Sequence, residues 1–221
     1  KGKDWNCLSL SPSNRNIHRT MGNKENKDHM DSVVIDDFDF SLIADFFKRV
    51  DRQGPGGERE TLLATSLIPA FDKPIHIADM GCGKGSQTFV LADRYDAEIE
   101  AVDLLPEMMD GIREQSLRRG MESRVHPVQA SMDALPFQRE MFDLIWAEGS
   151  IFIMGYEKGL RYWHRFLKPG CFVAVTDCTW FGKKRPDNMK WIEDNLPEID
   201  TVEHKIGLME EAGYEPFAHF F

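Results

Sequence analysis

Between Pro74 and Asp177 the apolar residues fall into short runs, Ile75 to Met80, Ile99 to Asp103, Arg124 to Gln129, Phe142 to Ala147 and Cys171 to Asp177. Stretches with helical spacing separate them, Ser86 to Tyr95, Pro106 to Arg119 and Glu157 to Leu167. Short apolar strands alternating with amphipathic helices predict an α/β doubly wound, mostly parallel sheet with helices on both faces. Pro106 suits a first helical turn, and Gly120 suits the residue just past a helix end. Near the C-terminus, Thr201 to Ala212 reads as a further helix and Gly213 to Phe221 as a sixth strand.

Ahead of the sheet the pattern is helical. Leu42, Ile43, Phe46, Phe47 and Val50 recur on one face, and after the breaker cluster Arg52-Gln-Gly-Pro-Gly-Gly57 a second run carries Leu62, Leu63, Leu67, Ile68 and Phe71. Residues 37–73 are therefore expected to form an N-terminal helical cap on a core spanning 74–221. Residues 1–36 are expected to be a disordered N-terminal segment, because Lys1 to Met30 is rich in Asn, Ser, Lys and Arg and has no apolar periodicity. The chain begins without methionine, which makes Met21 or Met30 a candidate start.

Composition narrows the partners. A chain of 221 residues with 42% hydrophobic content buries one good core. Its formal net charge of −10 repels polyphosphate and anionic lipid, so neither nucleic acid nor membrane is an expected partner. Apolar runs such as Cys171 to Val175 fall far short of the roughly 20 residues a membrane helix requires. Cys7, Cys82, Cys171 and Cys178 show no paired spacing, so a cytoplasmic location is expected and no metal site is suggested.

The chemistry concentrates after the first strand, where Gly81, Gly83 and Gly85 alternate in Asp79-Met-Gly-Cys-Gly-Lys-Gly85. Glycines between a strand and a helix let the backbone approach a ligand at the helix N-terminus. Gly81-x-Gly83-x-x-Ser86 also approximates the dinucleotide fingerprint, so the turn alone leaves the cofactor open. Asp103 ends the next strand, where a carboxylate can bind both ribose hydroxyls or cap the following helix.

Together, Asp79-x-Gly81-x-Gly83-x-Gly85, Asp103, Leu135-Pro-Phe137, Phe142-Asp-Leu-Ile145 and Leu167-Lys-Pro-Gly170 resemble a class I S-adenosylmethionine-dependent methyltransferase. The likeness is to the small-molecule branch, including bacterial proteins of unassigned substrate that share an Arg-Gln-Gly-Pro-Gly segment ahead of the sheet. It implies a Rossmann-like methyltransferase fold with S-adenosylmethionine as cofactor. Asp79, Gly81, Cys82, Gly83 and Gly85 would hold the methionine portion, and Gln53 and Gly54 of the leading segment would also contact the cofactor. Asp103 and Leu104 would take the ribose, Ser131, Met132 and Asp133 the adenine, and Glu148 would face cofactor or acceptor. Ala130-Ser-Met-Asp133 departs from the Gly-Asp-Ala that many relatives carry before Leu-Pro-Phe. The class also ends with a sixth strand and an antiparallel seventh between the fifth and sixth. No stretch here supplies that strand, so the chain is expected to be a C-terminally truncated fragment, with the fifth strand open or paired by Tyr214 to Phe221.

Methyl transfer asks mainly for positioning, and a base is needed where the acceptor must lose a proton. Glu148, Tyr156 and Asp177 are the candidates. His164 sits on a covering helix and is expected at the surface. Trp180-Phe181 could wall an acceptor pocket or serve as a hinge, and Lys183-Lys-Arg185 could be a solvated loop or recognise an acidic acceptor. Two other functions stay in view, a noncatalytic cofactor-binding module and a nicotinamide oxidoreductase, though the latter lacks a Tyr-x-x-x-Lys pair. Ala147-Glu-Gly-Ser150 is unlike the Asn/Asp-Pro-Pro-aromatic motif of enzymes that methylate base amino groups. The expected partner is a small-molecule methyl acceptor.

Overall fold

The computed structural model describes residues 49, 50, 52–182, 192, 194 and 196–221. Its core is a five-stranded sheet in the order β3-β2-β1-β4-β5, with every adjacent pair parallel. The strands are β1 (Ile75–Met80), β2 (Ala97–Asp103), β3 (Val125–Gln129), β4 (Phe142–Glu148) and β5 (Leu167–Thr176). Helices α1 (Glu58–Leu67), α2 (Ser86–Arg94), α3 (Pro106–Arg119), α4 (Tyr156–Trp163) and α5 (Val202–Glu211) surround it.

The near-continuous apolar runs of β1 and β4 follow from burial on both faces. In β1, Ile75 and Ile77 pack with Phe89, Ile99 and Ile112 on one side, while Ala78 and Met80 pack with Leu160 and Trp163 on the other. β4 repeats the alternation, with Leu144 and Trp146 on the first side and Ile145 and Ala147 on the second. Each fully buried aliphatic or aromatic side chain contributes about 1.5–3 kcal/mol. The chain leaves β1 toward β2 on one side and returns to β4 on the other. The reversal opens a crevice beyond the carboxyl ends of β1 and β4, where ligands of such sheets bind.

Several local expectations change. The helix expected to run to Leu167 stops at Trp163, passes through a 3-10 turn at His164–Phe166, and gives way to β5 at Leu167. Pro169 cannot sit in a helix interior, and Leu167 pairs instead with Phe142. Of the expected apolar run, Ile68 and Phe71 pack against the core, but on α1 itself Leu62, Leu63 and Leu67 are exposed, whereas Thr61 and Thr65 are buried. A small parallel ladder of β6 (Thr179–Trp180) and β7 (Asp200–Thr201) lies outside the expected pattern.

The sixth strand expected at Gly213 to Phe221 does not form. Pro216 lacks a ladder donor, and the segment packs by rings, Phe217 against Phe172 of β5 at 5.8 Å and Tyr214 against His164 at 5.1 Å. Among the described residues, no strand pairs the outer edge of β5. The helical run Leu42 to Val50, the N-terminal segment and Lys183-Lys-Arg185 lie wholly or mostly outside the described residues. No described helix is long and apolar enough to cross a membrane.

Candidate functional site

The glycine turn forms directly off β1. The amides of Gly81 and Cys82 both donate to the Val102 carbonyl of β2, at 2.8 and 2.9 Å, which bends the chain across the sheet's carboxyl edge. Gly81 and Gly83 have φ of +70° and +54°, the left-handed region in which a Cβ is strained. Space is closed to a Cβ as well: at Gly81 it would overlap Ser150, and at Gly83 the Gln53 side-chain oxygen. The glycines therefore admit neighbouring protein as much as a ligand. No side chain caps α2 at Gly85, so the positive end of that helix dipole is presented at the turn.

Two aspartates brace this turn. Asp79, fully buried, accepts from Thr88 Oγ1 at 2.5 Å and Gln87 Nε2 at 3.1 Å, tying β1 to the first turn of α2. Burial lifts its carboxyl to about 7 against these two hydrogen bonds. Asp103 accepts from the Gly83 amide and the Leu105 amide, each at 3.0 Å. Burial raises Asp103 too, while those amides oppose the rise. Its carboxylate thus stands at the crevice between the glycine turn and the start of α3 and orders the loop into α3. Leu104 beside it is exposed. The Cys82 thiol is buried and donates to the Gly83 carbonyl at 3.4 Å, and burial pushes it up.

Beyond β3, the Met132 carbonyl accepts from Trp163 Nε1 at 3.0 Å, and its sulfur lies on the Gly81 side of the crevice. Ser131 and Asp133 are bonded to each other at 2.6 Å, and Lys158 reaches Asp133 at 3.2 Å. These two partners hold the exposed Asp133 carboxyl below its usual range.

The leading segment folds back over the turn. Gln53 Oε1 accepts from the Lys84 amide at 3.2 Å, Gln53 Nε2 donates to the Val50 carbonyl at 2.9 Å, and Lys84 Nζ reaches the same carbonyl at 3.1 Å. Arg52 donates to the Gly54 and Pro55 carbonyls and pairs with Glu148 Oε1 at 2.5 Å. Glu148 is buried, and its carboxylate also accepts from Thr61 Oγ1 at 3.0 Å and Trp146 Nε1 at 3.0 Å. It is neither a solvated loop acid nor a free base but the anchor that joins α1 and the leading segment to β4. Thr61, Trp146 and Lys84 complete this arrangement, and no local pattern in the sequence marks them.

Ser150 links the crevice to its neighbouring compartment. Its hydroxyl donates to the Met80 carbonyl at 2.5 Å, and the following 3-10 turn (Ile151–Ile153) leads to a cavity of about 210 Å3. Phe152, Met154, Asp177, Leu196 and Glu198 line it. Tyr156 is buried at the start of α4, its amide bonded to Glu198 Oε2 at 2.5 Å. Burial first and Asp177 second hold the Tyr156 phenol well above its ordinary value, so it keeps its proton at neutral pH. Asp177 pairs with buried Lys205 of α5. His164 stands apart, against Tyr214. Of the aromatic pair, Phe181 is exposed and Trp180 belongs to β6. No group of three or more His, Cys, Asp or Glu among the described residues is arranged to hold a metal ion.

A parallel sheet of this order, with a glycine turn after β1 and an acid at the end of β2, is a doubly wound Rossmann-like fold. Residues 77–170 match the methyltransferase domain family, and the described core has the Rossmann-like fold of solved small-molecule methyltransferases. The chain is 26% identical over 141 residues to phosphoethanolamine N-methyltransferase 3 of Arabidopsis thaliana, covering 63% of this chain and 28% of that protein. The solved structure of Haemonchus contortus phosphoethanolamine N-methyltransferase 2 with S-adenosylmethionine matches with a TM-score of 0.65 at 18% identity, over 78% of this chain and 40% of that one. The [4+2]-cyclase SpnF matches with a TM-score of 0.61 at 22% identity, over 73% of this chain and 61% of that one. Across the eight curated relatives compared, the chain spans between 27% and 67% of their lengths.

Proposed function

We propose that this chain transfers the methyl group of S-adenosylmethionine to a small-molecule acceptor by in-line displacement. The observation that carries the reading is the Asp103 carboxylate fastened to the Gly83 amide at the head of the crevice. One feature then serves two portions of the ligand: an acid for the ribose beside a turn shaped for the methionine end. S-adenosylmethionine fits this set of groups, since its ammonium and hydroxyls suit Asp103 and the turn carbonyls, and its carboxylate suits the N-terminus of α2. When bound, it supplies an already activated methyl group. The protein's part is to hold an acceptor in line and exclude water. The compartment beyond Ser150, walled by Phe152 and Met154, is where such an acceptor enters.

A second reading, a cofactor-binding module without methyl transfer, is favoured by one observation: Glu148 is held by three donors and Asp177 by Lys205, while Tyr156 keeps its proton at neutral pH. Calorimetric titration together with a turnover screen separates the readings. Binding of S-adenosylmethionine with release of S-adenosylhomocysteine on adding acceptors supports the enzyme. Binding without release across a broad metabolite screen supports the module, and nicotinamide binding in place of adenosylmethionine binding sinks both.

A further inference from the structure

The acceptor-side cavity owes one charged wall to a residue that no motif marks. Lys205 is 4% exposed, its ammonium pairs with Asp177, and it lies 4.3 Å from the centre of the Tyr156 ring. A buried ammonium is stable only when paired, so this contact fixes all three groups together. It bolts α5 to the end of β5 and the start of α4, the two elements that border the cavity.

The lining has a definite chemistry. Phe152, Met154, Leu196 and Ile199 are apolar, and the charged lining residues are Asp177 and Glu198. Glu198 is committed to the Tyr156 amide, which leaves Asp177 as the polar group whose placement depends on a side chain, Lys205. No Lys, Arg or His is among the described residues lining this space. Among the described lining residues a phosphate or carboxylate would face Glu198 and the Lys205-paired Asp177 with no cation of the lining to receive it, whereas an amine or hydroxyl would find an acceptor oxygen. The volume of about 210 Å3 lies below the roughly 300 Å3 at which drug-sized ligand pockets begin, which suits a small molecule.

We propose that Lys205 is a positioning residue of the methyl-acceptor site: by holding the Asp177 carboxylate and the Tyr156 ring at the cavity wall, it makes the site select a small amine or hydroxyl acceptor that carries no anionic group. The proposal rests on the methyltransferase reading above and adds the acceptor class and the residue that sets it. It sets this chain apart from phosphoethanolamine N-methyltransferases, whose name specifies a phosphorylated acceptor.

The test uses the full chain. Titration of the wild-type protein with S-adenosylmethionine checks the cofactor half of the underlying reading, and lost binding there strikes that reading, not the role of Lys205. S-adenosylhomocysteine release is then measured with a panel of small primary and secondary amines and phenols, against phosphoethanolamine and geranyl diphosphate. Release should occur with the uncharged or cationic set and be at least about tenfold weaker with the phosphorylated pair, the discrimination expected of one charge-assisted contact. Lys205→Met should raise the acceptor KM by about tenfold or more while leaving cofactor affinity within about twofold, and Lys205→Arg should recover most of the loss. Asp177→Asn, nearly isosteric, keeps the proposal testable if Lys205→Met fails to fold. It should raise the ratio of phosphorylated to amine turnover by about tenfold. Release confined to the phosphorylated acceptors, release with neither set, an unchanged acceptor KM in Lys205→Met, or an unchanged ratio in Asp177→Asn would each overturn it.

Discussion

The Asp103 carboxylate at the end of β2 accepts a hydrogen bond from the Gly83 amide, 20 residues earlier in the chain, at 3.0 Å. The contact makes this acid and the glycine turn one unit, so the two cannot be perturbed separately. Asp103→Ala should weaken S-adenosylmethionine binding by about 1.5–3 kcal/mol, roughly tenfold to a hundredfold in Kd, as expected for lost hydrogen bonds to a charged group. Asp103→Asn should fall between the two. Calorimetric titration checks this, and an unaltered Kd in folded Asp103→Ala would move the ribose contact to another residue.

Gly83→Val should abolish cofactor binding with little change in secondary structure, because φ of +54° strains any Cβ and Gln53 already fills the space beside it. Gly120 is the control. It has φ of +64° with no atom within 4 Å of an added Cβ, so Gly120→Ala should lose about 1–2 kcal/mol of stability and keep cofactor affinity. Circular dichroism and titration on both variants settle the comparison; equal affinity in the two would remove the glycine turn from the site.

Glu148→Gln should loosen the leading segment from the sheet. The substitution removes the charge that Arg52 meets at 2.5 Å, and the expected destabilisation is about 1–3 kcal/mol. Trypsin should then cleave after Arg52 several-fold faster than in the parent protein, a readout specific to this contact. An unchanged cleavage rate would show that the pair does not hold the segment in place.

Asp79 predicts a pH dependence whose sign is set by its raised carboxyl. Burial lifts it from 3.8 to about 7, so between those values the folded protein keeps a proton that the unfolded chain releases. Its contribution to stability is therefore complete below about pH 4 and is lost as pH rises through about 7. Asp79→Asn cannot ionise and should flatten the fall in Tm between pH 5 and pH 8. Calorimetric scans at several pH values measure this, and parallel Tm curves for the two proteins would contradict an elevated Asp79.

Much of the core was legible because its signals are local. The apolar run Ile75 to Met80 coincides with β1, and Pro106 and Gly120 bracket α3 as a first-turn proline and a left-handed terminating glycine should. The alternating glycines after β1, and Asp103 one strand later, marked the crevice because strand-turn-helix spacing is carried by neighbours in sequence. Where local pattern and tertiary demand diverged, tertiary demand prevailed. Leu62 and Leu63 suggested one face of α1, yet Thr61 turned inward because Glu148 requires a donor there.

What the sequence by itself determined was the alternation of strands and helices from β1 to β5, the parallel sheet and the position of the glycine turn, since these follow from hydrophobic period, glycine spacing and helix boundaries within short windows of chain. Only the tertiary structure decided which polar residues meet. Thr61 and Glu148 lie 87 residues apart, Gln53 and Lys84 31, and Lys205 and Asp177 28. Each pair is made of residue types ordinary on any surface, and their partnership arises when the folded backbone brings them together and burial leaves them no water to bond instead.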